Sequence, residues 1–163
     1  MKRALVTGAG KRLGRAMALY LGQRGFDVAV HYASSADGAS EVVSEIEAMG
    51  QRAVAVQADL LNLDEMEGLL PAAVDALGGP ITCLINNASI FEYDTLEKAT
   101  RDSWDRHMNS NLRAPFVLSQ AMVAQGLEAT IDDAEEPISA GLIVNMLDQR
   151  VRKLTPEFLT YTL

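Results

Sequence analysis

Three observations predict an α/β fold with a doubly wound parallel sheet and helices on both of its faces. Apolar runs of strand length alternate with amphipathic segments of helix length along the chain. A glycine-rich turn, Thr7-Gly8-Ala9-Gly10-Lys11-Arg12-Leu13-Gly14, joins the first apolar run to the first amphipathic segment. No internal repeat, low-complexity tract or linker interrupts the alternation, so residues 1–163 are expected to form one domain.

The elements follow in order. Ala4-Leu5-Val6 is a buried strand, and Leu13, Ala16, Met17, Tyr20 and Leu21 have the spacing of a helix laid against a sheet. A strand, glycine turn and helix together present free backbone N–H groups and a positive dipole end to an anion. Gly8, Gly10 and Gly14 let the backbone approach a pyrophosphate that any Cβ would hold away. Glycines alone also mark ordinary tight turns; placed between strand and helix, they make this a nucleotide-binding turn. Lys11-Arg12 is either a solvated charge pair or a selector for a phosphorylated cofactor, since guanidinium groups suit phosphate oxygens.

Asp27 to Tyr32 is the second strand. An acid at the end of this strand would hold the ribose 2′-hydroxyl of NAD, whereas here His31-Tyr32-Ala33-Ser34-Ser35 follows, with no acid before Asp37. Such a serine cluster can be a plain polar loop tip. A carboxylate would repel a 2′-phosphate, whereas His31, Tyr32, Ser34, Ser35, Lys11 and Arg12 could accept one. NADP(H) is therefore the expected cofactor rather than NAD(H).

Ala36, Ala39, Val42, Val43, Ile46 and Met49 mark a second amphipathic helix closed by Gly50. Ala53 to Val56 is a third strand, and Asp59-Leu60 follows it, the Asp placed to cap the next turn. Leu63, Met66, Leu69, Leu70, Ala73, Val74 and Leu77 mark a third helix, expected to bend or restart at Pro71. Ile81 to Ile85 is a fourth strand running into Asn86-Asn87-Ala88-Ser89, where paired Asn residues could satisfy loose backbone groups. Phe91 follows, either core or a platform for a flat ring. Trp104 and Met108 lead into a long helix in which Asn111 is a polar interruption needing partners. Residues 125–140 form an acidic, irregular connection. Gly141 to Met146 is a fifth buried strand, Asp148 lies just past it, and Thr155-Pro156-Glu157 reads as a helix start with Thr155 as N-cap. Asp148 can cap the turn Asp148-Gln149-Arg150 or face a ligand at the sheet's carboxyl edge.

Composition bounds the partners. The 163 residues can bury a sizeable core, and 48% apolar with 22% charged is ordinary for a globular protein. A net charge of −8 without long basic runs argues against nucleic acid or an anionic membrane as partner. No apolar run approaches membrane-spanning length, the first strand leaves no room for a signal peptide, and cytoplasm is the expected location. Cys83, inside an apolar run, is read as a buried inert thiol, and no residue is assigned to a metal.

With Thr7 in front, the glycine turn resembles the T-G-x-x-x-G-[IL]-G turn of the short-chain dehydrogenase/reductase family, with Arg12 where the middle glycine usually stands. Asn86-Asn87-Ala88-Ser89 is similar to the family's N-N-A-G, with Ser89 for Gly. The intervals between Arg12, N-N-A-S, Phe91, Asp148 and Tyr161 look like the pteridine reductase branch, and the match runs the whole chain. The resemblance implies a Rossmann-like fold, Asp59-Leu60 bordering the adenine, and Gly8, Leu13, Gly14, Asn87, Ala88 and Ser89 around the cofactor. It further implies Asn111 holding water in a proton relay, Tyr161 as proton donor, and Asp148 in place of the usual catalytic Ser. Arg12, Ser89, Phe91, Asp148 and Tyr161 would then face the small-molecule substrate, and the full-length protein would be a homotetramer.

In that family the catalytic pattern is Y-x-x-x-K, which from Tyr161 puts the Lys two residues beyond Leu163, together with further strands. The 163 residues are accordingly expected to be a fragment, inactive alone. A phenol near pKa 10 exchanges protons poorly at neutral pH, and the family lowers it with an ammonium. Asp148 suits a nitrogen-rich acceptor, because a carboxylate pairs with ring N–H and amino donors. NADPH-dependent reduction of a pterin-like ring is thus the first expectation. A carbonyl or 3-oxoacyl thioester reductase is the nearer alternative, and a non-catalytic NADP-binding module the more distant one.

Overall fold

The computed structural model describes residues 2–163. In chain order, β1 (Arg3–Val6), α1 (Arg12–Gln23), β2 (Asp27–Tyr32), α2 (Ala36–Ala48), β3 (Ala53–Gln57), α3 (Leu63–Leu77) and β4 (Cys83–Asn86) build three consecutive βα units and a fourth strand. Then come α4 (Arg101–His107), a π-helical turn (Met108–Arg113), α5 (Ala114–Ala124), β5 (Thr130–Ile131), β6 (Pro137–Ile138), β7 (Leu142–Asn145), a 3-10 turn (Gln149–Val151) and α6 (Leu159–Thr162). The main sheet has the order β3-β2-β1-β4-β7, with every neighbouring pair parallel. The chain winds outward from β1 to β3, then returns to add β4 on β1's other side. That reversal opens a crevice at the carboxyl ends of β1 and β4, where open α/β sheets take their ligands.

Strand periodicity sends alternate side chains to two cores. Ala4 and Val6 of β1 join Val28, Val30, Ala18 and Ile46 under α1 and α2. Leu5 joins Leu84, Met66, Leu69, Leu118 and Met122 under α3 and α5. Both faces are covered over β1, β2 and β4, as their continuous apolar runs require, whereas β7, expected to be a buried strand, lies at the sheet edge with Leu142 exposed and Ile143 and Val144 half-buried.

Several elements depart from the sequence expectation. Leu13 and Tyr20 of α1 are 66% and 53% exposed; the buried stripe is Gly14, Ala18, Leu21 and Gly22. Small residues carry that contact because they let α1 come close to its neighbours: a Cβ on Gly22 would sit 3.1 Å from Ile46. Pro71 does not divide the third helix, and α3 is one element from Leu63 to Leu77. Pro71 is solvent-exposed, so water can reach the backbone groups that its ring frees. The acidic connection is not wholly irregular, since β5 and β6 pair antiparallel within it. Thr155 does not start a helix: its hydroxyl donates to Glu157 O and accepts from Arg150, and α6 begins only after Phe158, whose φ is +56°. The long helix is also interrupted, by the π-helical turn that contains Asn111.

Two glycine variants separate close approach from mere flexibility. A Cβ at Gly14 would lie 2.2 Å from Gly8 O, whereas Gly68 in α3 has open space around it. Gly14→Ala is expected to destabilise by about 3 kcal/mol through overpacking, and Gly68→Ala to stabilise by about 0.5–1 kcal/mol. Urea unfolding of the two variants checks both signs.

Candidate active site

The glycine turn is tied to the end of β4 through Thr7. Its hydroxyl accepts hydrogen bonds from the backbone N–H groups of Asn87 and Ala88, both at 2.9 Å, and donates to Ile85 O. The Asn87 amide in turn donates to Thr7 O at 2.8 Å. Two glycines make room for this. Gly8 has φ +65° and would press a Cβ to 3.1 Å from Ala88 Cα, and a Cβ on Gly14 would meet the Asn87 amide at 2.7 Å.

His31 lies beneath the turn and does not act as the expected phosphate ligand. Its Nδ1 accepts from Gly8 N at 3.0 Å, so the proton is assigned to Nε2, which faces Ala58 O at 3.0 Å. Burial lowers its pKa and keeps the ring neutral. Both ring nitrogens are committed to backbone because the side chain points inward from the end of β2.

No side chain caps the N-terminus of α1 among the described residues, and Lys11, Arg12, Leu13 and Gly14 there line a cavity of about 1060 Å³. Tyr32, Ser34, Ser35, Asp59, Leu60, Asn87, Ala88 and Ser89 line the same cavity. Uncapped helix N–H groups beside exposed cations suit an anion. Arg12 has φ +53°, so a side chain stands in a left-handed position that ordinarily favours glycine. Asp59 caps its turn by accepting from Leu61 N at 2.9 Å, and Leu60 is core.

At the far wall, Asn111 brackets Ile90: Oδ1 accepts from Ile90 N at 2.8 Å and Nδ2 donates to Ile90 O at 2.9 Å. Ile90 lies between Ser89 and Phe91, so the π-helical turn fixes both. Asp148 meets Tyr161 here. Its Oδ2 accepts from the Tyr161 hydroxyl at 3.1 Å, while Oδ1 accepts from Arg150 N at 2.9 Å. Asp148 thus both caps its turn and faces the phenol. Burial, and then the Asp148 charge and hydrogen bond, push the phenol above its ordinary pKa; Ser89 and Arg150 act in the opposite sense.

The Phe91 ring already has neighbours. It stacks on Phe158 at 4.1 Å and meets the edge of Tyr161 at 4.7 Å, with the Arg150 guanidinium 5.6 Å from its centre. Arg150 and Phe158 belong to this wall although the sequence reading passed over them; the signal was their adjacency to Asp148 and Tyr161. Cys83 is buried and its thiol pKa is raised by burial, so it stays protonated and inert. No His/Cys/Asp/Glu group among the described residues could hold a metal ion, and no described helix is long and apolar enough to cross a membrane.

The phenol can be titrated. Asp148→Asn removes the carboxylate and is expected to bring the Tyr161 pKa down, whereas Arg150→Ala should move it further up. Ultraviolet difference titration checks both directions, with Tyr161→Phe identifying the transition.

The geometry can be set beside known proteins. A family model described as short chain dehydrogenase matches residues 2–161. The 3-oxoacyl-[acyl-carrier-protein] reductase FabG of Staphylococcus epidermidis is 38% identical over 126 residues, 77% of this chain and 51% of that protein. The chain spans about half the length of the curated relatives it matches. Among solved structures, FolM Alternative dihydrofolate reductase 1 from Brucella suis in complex with NADP superposes with a TM-score of 0.86 at 38% identity. That likeness covers 99% of this chain and 63% of the Brucella one. The landomycin C-6 ketoreductase LanV with bound NADP and rabelomycin gives 0.84 at 34% identity, covering 99% and 63%. With the family model, the relatives and the parallel sheet in agreement, the chain belongs to the short-chain dehydrogenase family.

Proposed function

We propose that the chain serves an NADPH-dependent oxidoreductase that reduces a pterin-like C=N bond. The observation that carries this is the Asp148 carboxylate hydrogen-bonded to the Tyr161 phenol at the carboxyl edge of the sheet. The glycine turn fits a dinucleotide: the α1 N-terminus is uncapped by side chains, and Gly14 lets α1 start directly against Gly8 and Asn87, where a Cβ would collide with both. Lys11, Arg12 and Ser35 would hold the 2′-phosphate, and no acid among Tyr32, Ala33, Ser34 and Ser35 would oppose it. The bound NADPH supplies a hydride. Tyr161, protonated at neutral pH like any phenol, can give the accompanying proton to a ring nitrogen once a cation offsets the burial and the Asp148 charge that push its pKa up. Asp148 would accept from ring N–H and amino donors and so fix the ring, with Phe91 beside it. The similar Brucella protein, described as an alternative dihydrofolate reductase, supports a pterin-like substrate.

A second reading, reduction of a 3-oxoacyl thioester, is supported by the Staphylococcus relatives. A 3-oxoacyl group offers Asp148 no ring N–H or amino donor, and for that reason this reading ranks second. We also place the protein in the cytoplasm as a homotetramer. Leu112, Phe116 and Val123 form an apolar row, 65%, 60% and 74% exposed, which suits burial against another copy. Sedimentation showing only monomer at micromolar concentration would remove that part.

NADPH is expected to bind more tightly than NADH, by fluorescence titration. Arg12→Gly is expected to cost about 1–3 kcal/mol of NADPH binding while raising fold stability by about 1 kcal/mol, because glycine relieves the left-handed strain. The opposite signs separate a phosphate ligand from a passive surface charge, and equal NADH affinity would sink the cofactor assignment. In a protein that supplies a lysine four residues after Tyr161, Asp148→Ser should lower pterin-dependent NADPH oxidation about a hundredfold. An unaffected pterin rate, or wild-type preference for a 3-oxoacyl thioester, would overturn the pterin reading.

A further inference from the structure

The helix that carries Tyr161 is held in an unusual way. α6 spans four residues, and Thr160 is its one buried residue. A short helix fixed by apolar packing would bury Leu, Ile or Phe; this one buries a hydroxyl.

Around Thr160 the polar groups close into a chain with its donors and acceptors assigned. Asp94, 4% exposed, accepts from Thr160 N at 3.1 Å through Oδ1 and from the Thr160 hydroxyl through Oδ2. The Asp94 backbone carbonyl accepts from Phe158 N at 2.8 Å, two residues earlier. His107 is fully buried, and its Nε2 accepts from Glu92 N at 3.2 Å, which assigns the proton to Nδ1. That Nδ1–H lies 2.8 Å from both Ser103 O and the Thr160 hydroxyl oxygen. The hydroxyl therefore accepts from His107 and donates to Asp94. Burial raises the Asp94 carboxyl, but the hydrogen bonds from Thr160 and Ser103, with His107 nearby, hold it below the ordinary carboxylate range. Asp94 is ionised at neutral pH, and each of its two carboxylate oxygens accepts a hydrogen bond from Thr160.

His107 is also the last residue of α4, immediately before the π-helical turn that carries Asn111. The same cluster thus joins the segment bearing Tyr161 to the one that fixes Ser89 and Phe91. We propose that Thr160, clamped between Asp94 and His107, is a positioning residue that sets where the Tyr161 phenol stands relative to Asp148. The proposal rests on the reading of Tyr161 as proton donor, and it adds that a buried polar clamp one residue away, rather than apolar packing, determines its placement.

The test follows Tyr161 directly in the 163-residue chain labelled with 13Cζ-tyrosine. Four tyrosines are present, and Tyr161→Phe assigns the resonance. Thr160→Val keeps the side-chain shape and removes the hydroxyl; it is expected to displace or split the Tyr161 resonance by more than its linewidth. It should also abolish the shift in Tyr161 titration that Asp148→Asn causes in the wild-type background. Thr160→Ser, which keeps the hydroxyl, should restore both. A folded Thr160→Val whose Tyr161 resonance and Asp148 response match wild type overturns the proposal, as does failure of Thr160→Ser to restore them. Should Thr160→Val not fold, Asp94→Asn, which keeps the volume and loses one acceptor oxygen, is read by the same two criteria. NADPH oxidation plays no part in this readout, so absence of pterin turnover would remove the proposed substrate and leave the positioning of Tyr161 to be decided by the resonance.

Discussion

The rest of the site depends on how closely the turn after β1 approaches the end of β4. Thr7 and Asn87 exchange backbone and side-chain hydrogen bonds across that gap, and Gly8 and Gly14 supply the space in which they do so. Were the gap wider, the first turn of α1 would lose its register with the carboxyl edge of the sheet. The crevice between β1 and β4 would then no longer present helix N–H groups and strand-end side chains to one ligand. His31 supports the arrangement from below, as a neutral ring bridging Gly8 N–H and Ala58 O.

The two walls of the cavity are stabilised by different physics. The dinucleotide side rests on apolar strands whose alternate residues fill two cores, so its geometry follows from burial. The side holding Asp148 and Tyr161 stands mostly exposed, on a four-residue helix and a 3-10 turn. Hydrogen bonds and ring contacts order it instead: the Asp94–Thr160–His107 cluster, the Phe91–Phe158 stack and the Arg150 guanidinium 4.9 Å from the Phe158 ring centre. Directional contacts fix angles that apolar packing leaves loose, which suits groups that must meet a reacting atom.

Some departures from regular backbone border the cavity or the helix that carries Tyr161, while the left-handed Glu135 lies in the β5–β6 connection. Arg12 and Phe158 adopt left-handed conformations, and Asn111 sits in a π-helical turn. Each has a local cost of about 1 kcal/mol or more that the surrounding contacts offset. Arg12 thereby brings a guanidinium to the mouth of the glycine turn, and the π-helical turn aims Asn111 at Ile90.

Much of the frame was legible in the sequence because it depends on short-range patterns. Apolar runs gave the strand positions, β2 from Asp27 to Tyr32 to the residue, and the glycine turn marked the crevice. The spacing from Asp148 to Tyr161 was consistent with two side chains over one site, and the structure brings them within 3.1 Å. What was misjudged depends on contacts distant in sequence. His31 looked like a phosphate ligand until its ring met Ala58, and Leu13 looked like core until Gly14 and Ala18 took that face. Thr155 looked like a cap until its hydroxyl was bound by Arg150 and Glu157. Asp94, His107 and Thr160 carry no local pattern, being 13 and 53 residues apart in the chain, and only folding turns them into one hydrogen-bonded cluster. The sequence by itself determined the strands of the main sheet and the glycine turn, because periodicity and glycine spacing act within a few residues, and its motifs in register carried the family resemblance. The tertiary structure alone decided which polar side chains satisfy one another, because a buried hydrogen bond is set by whatever the fold places opposite it.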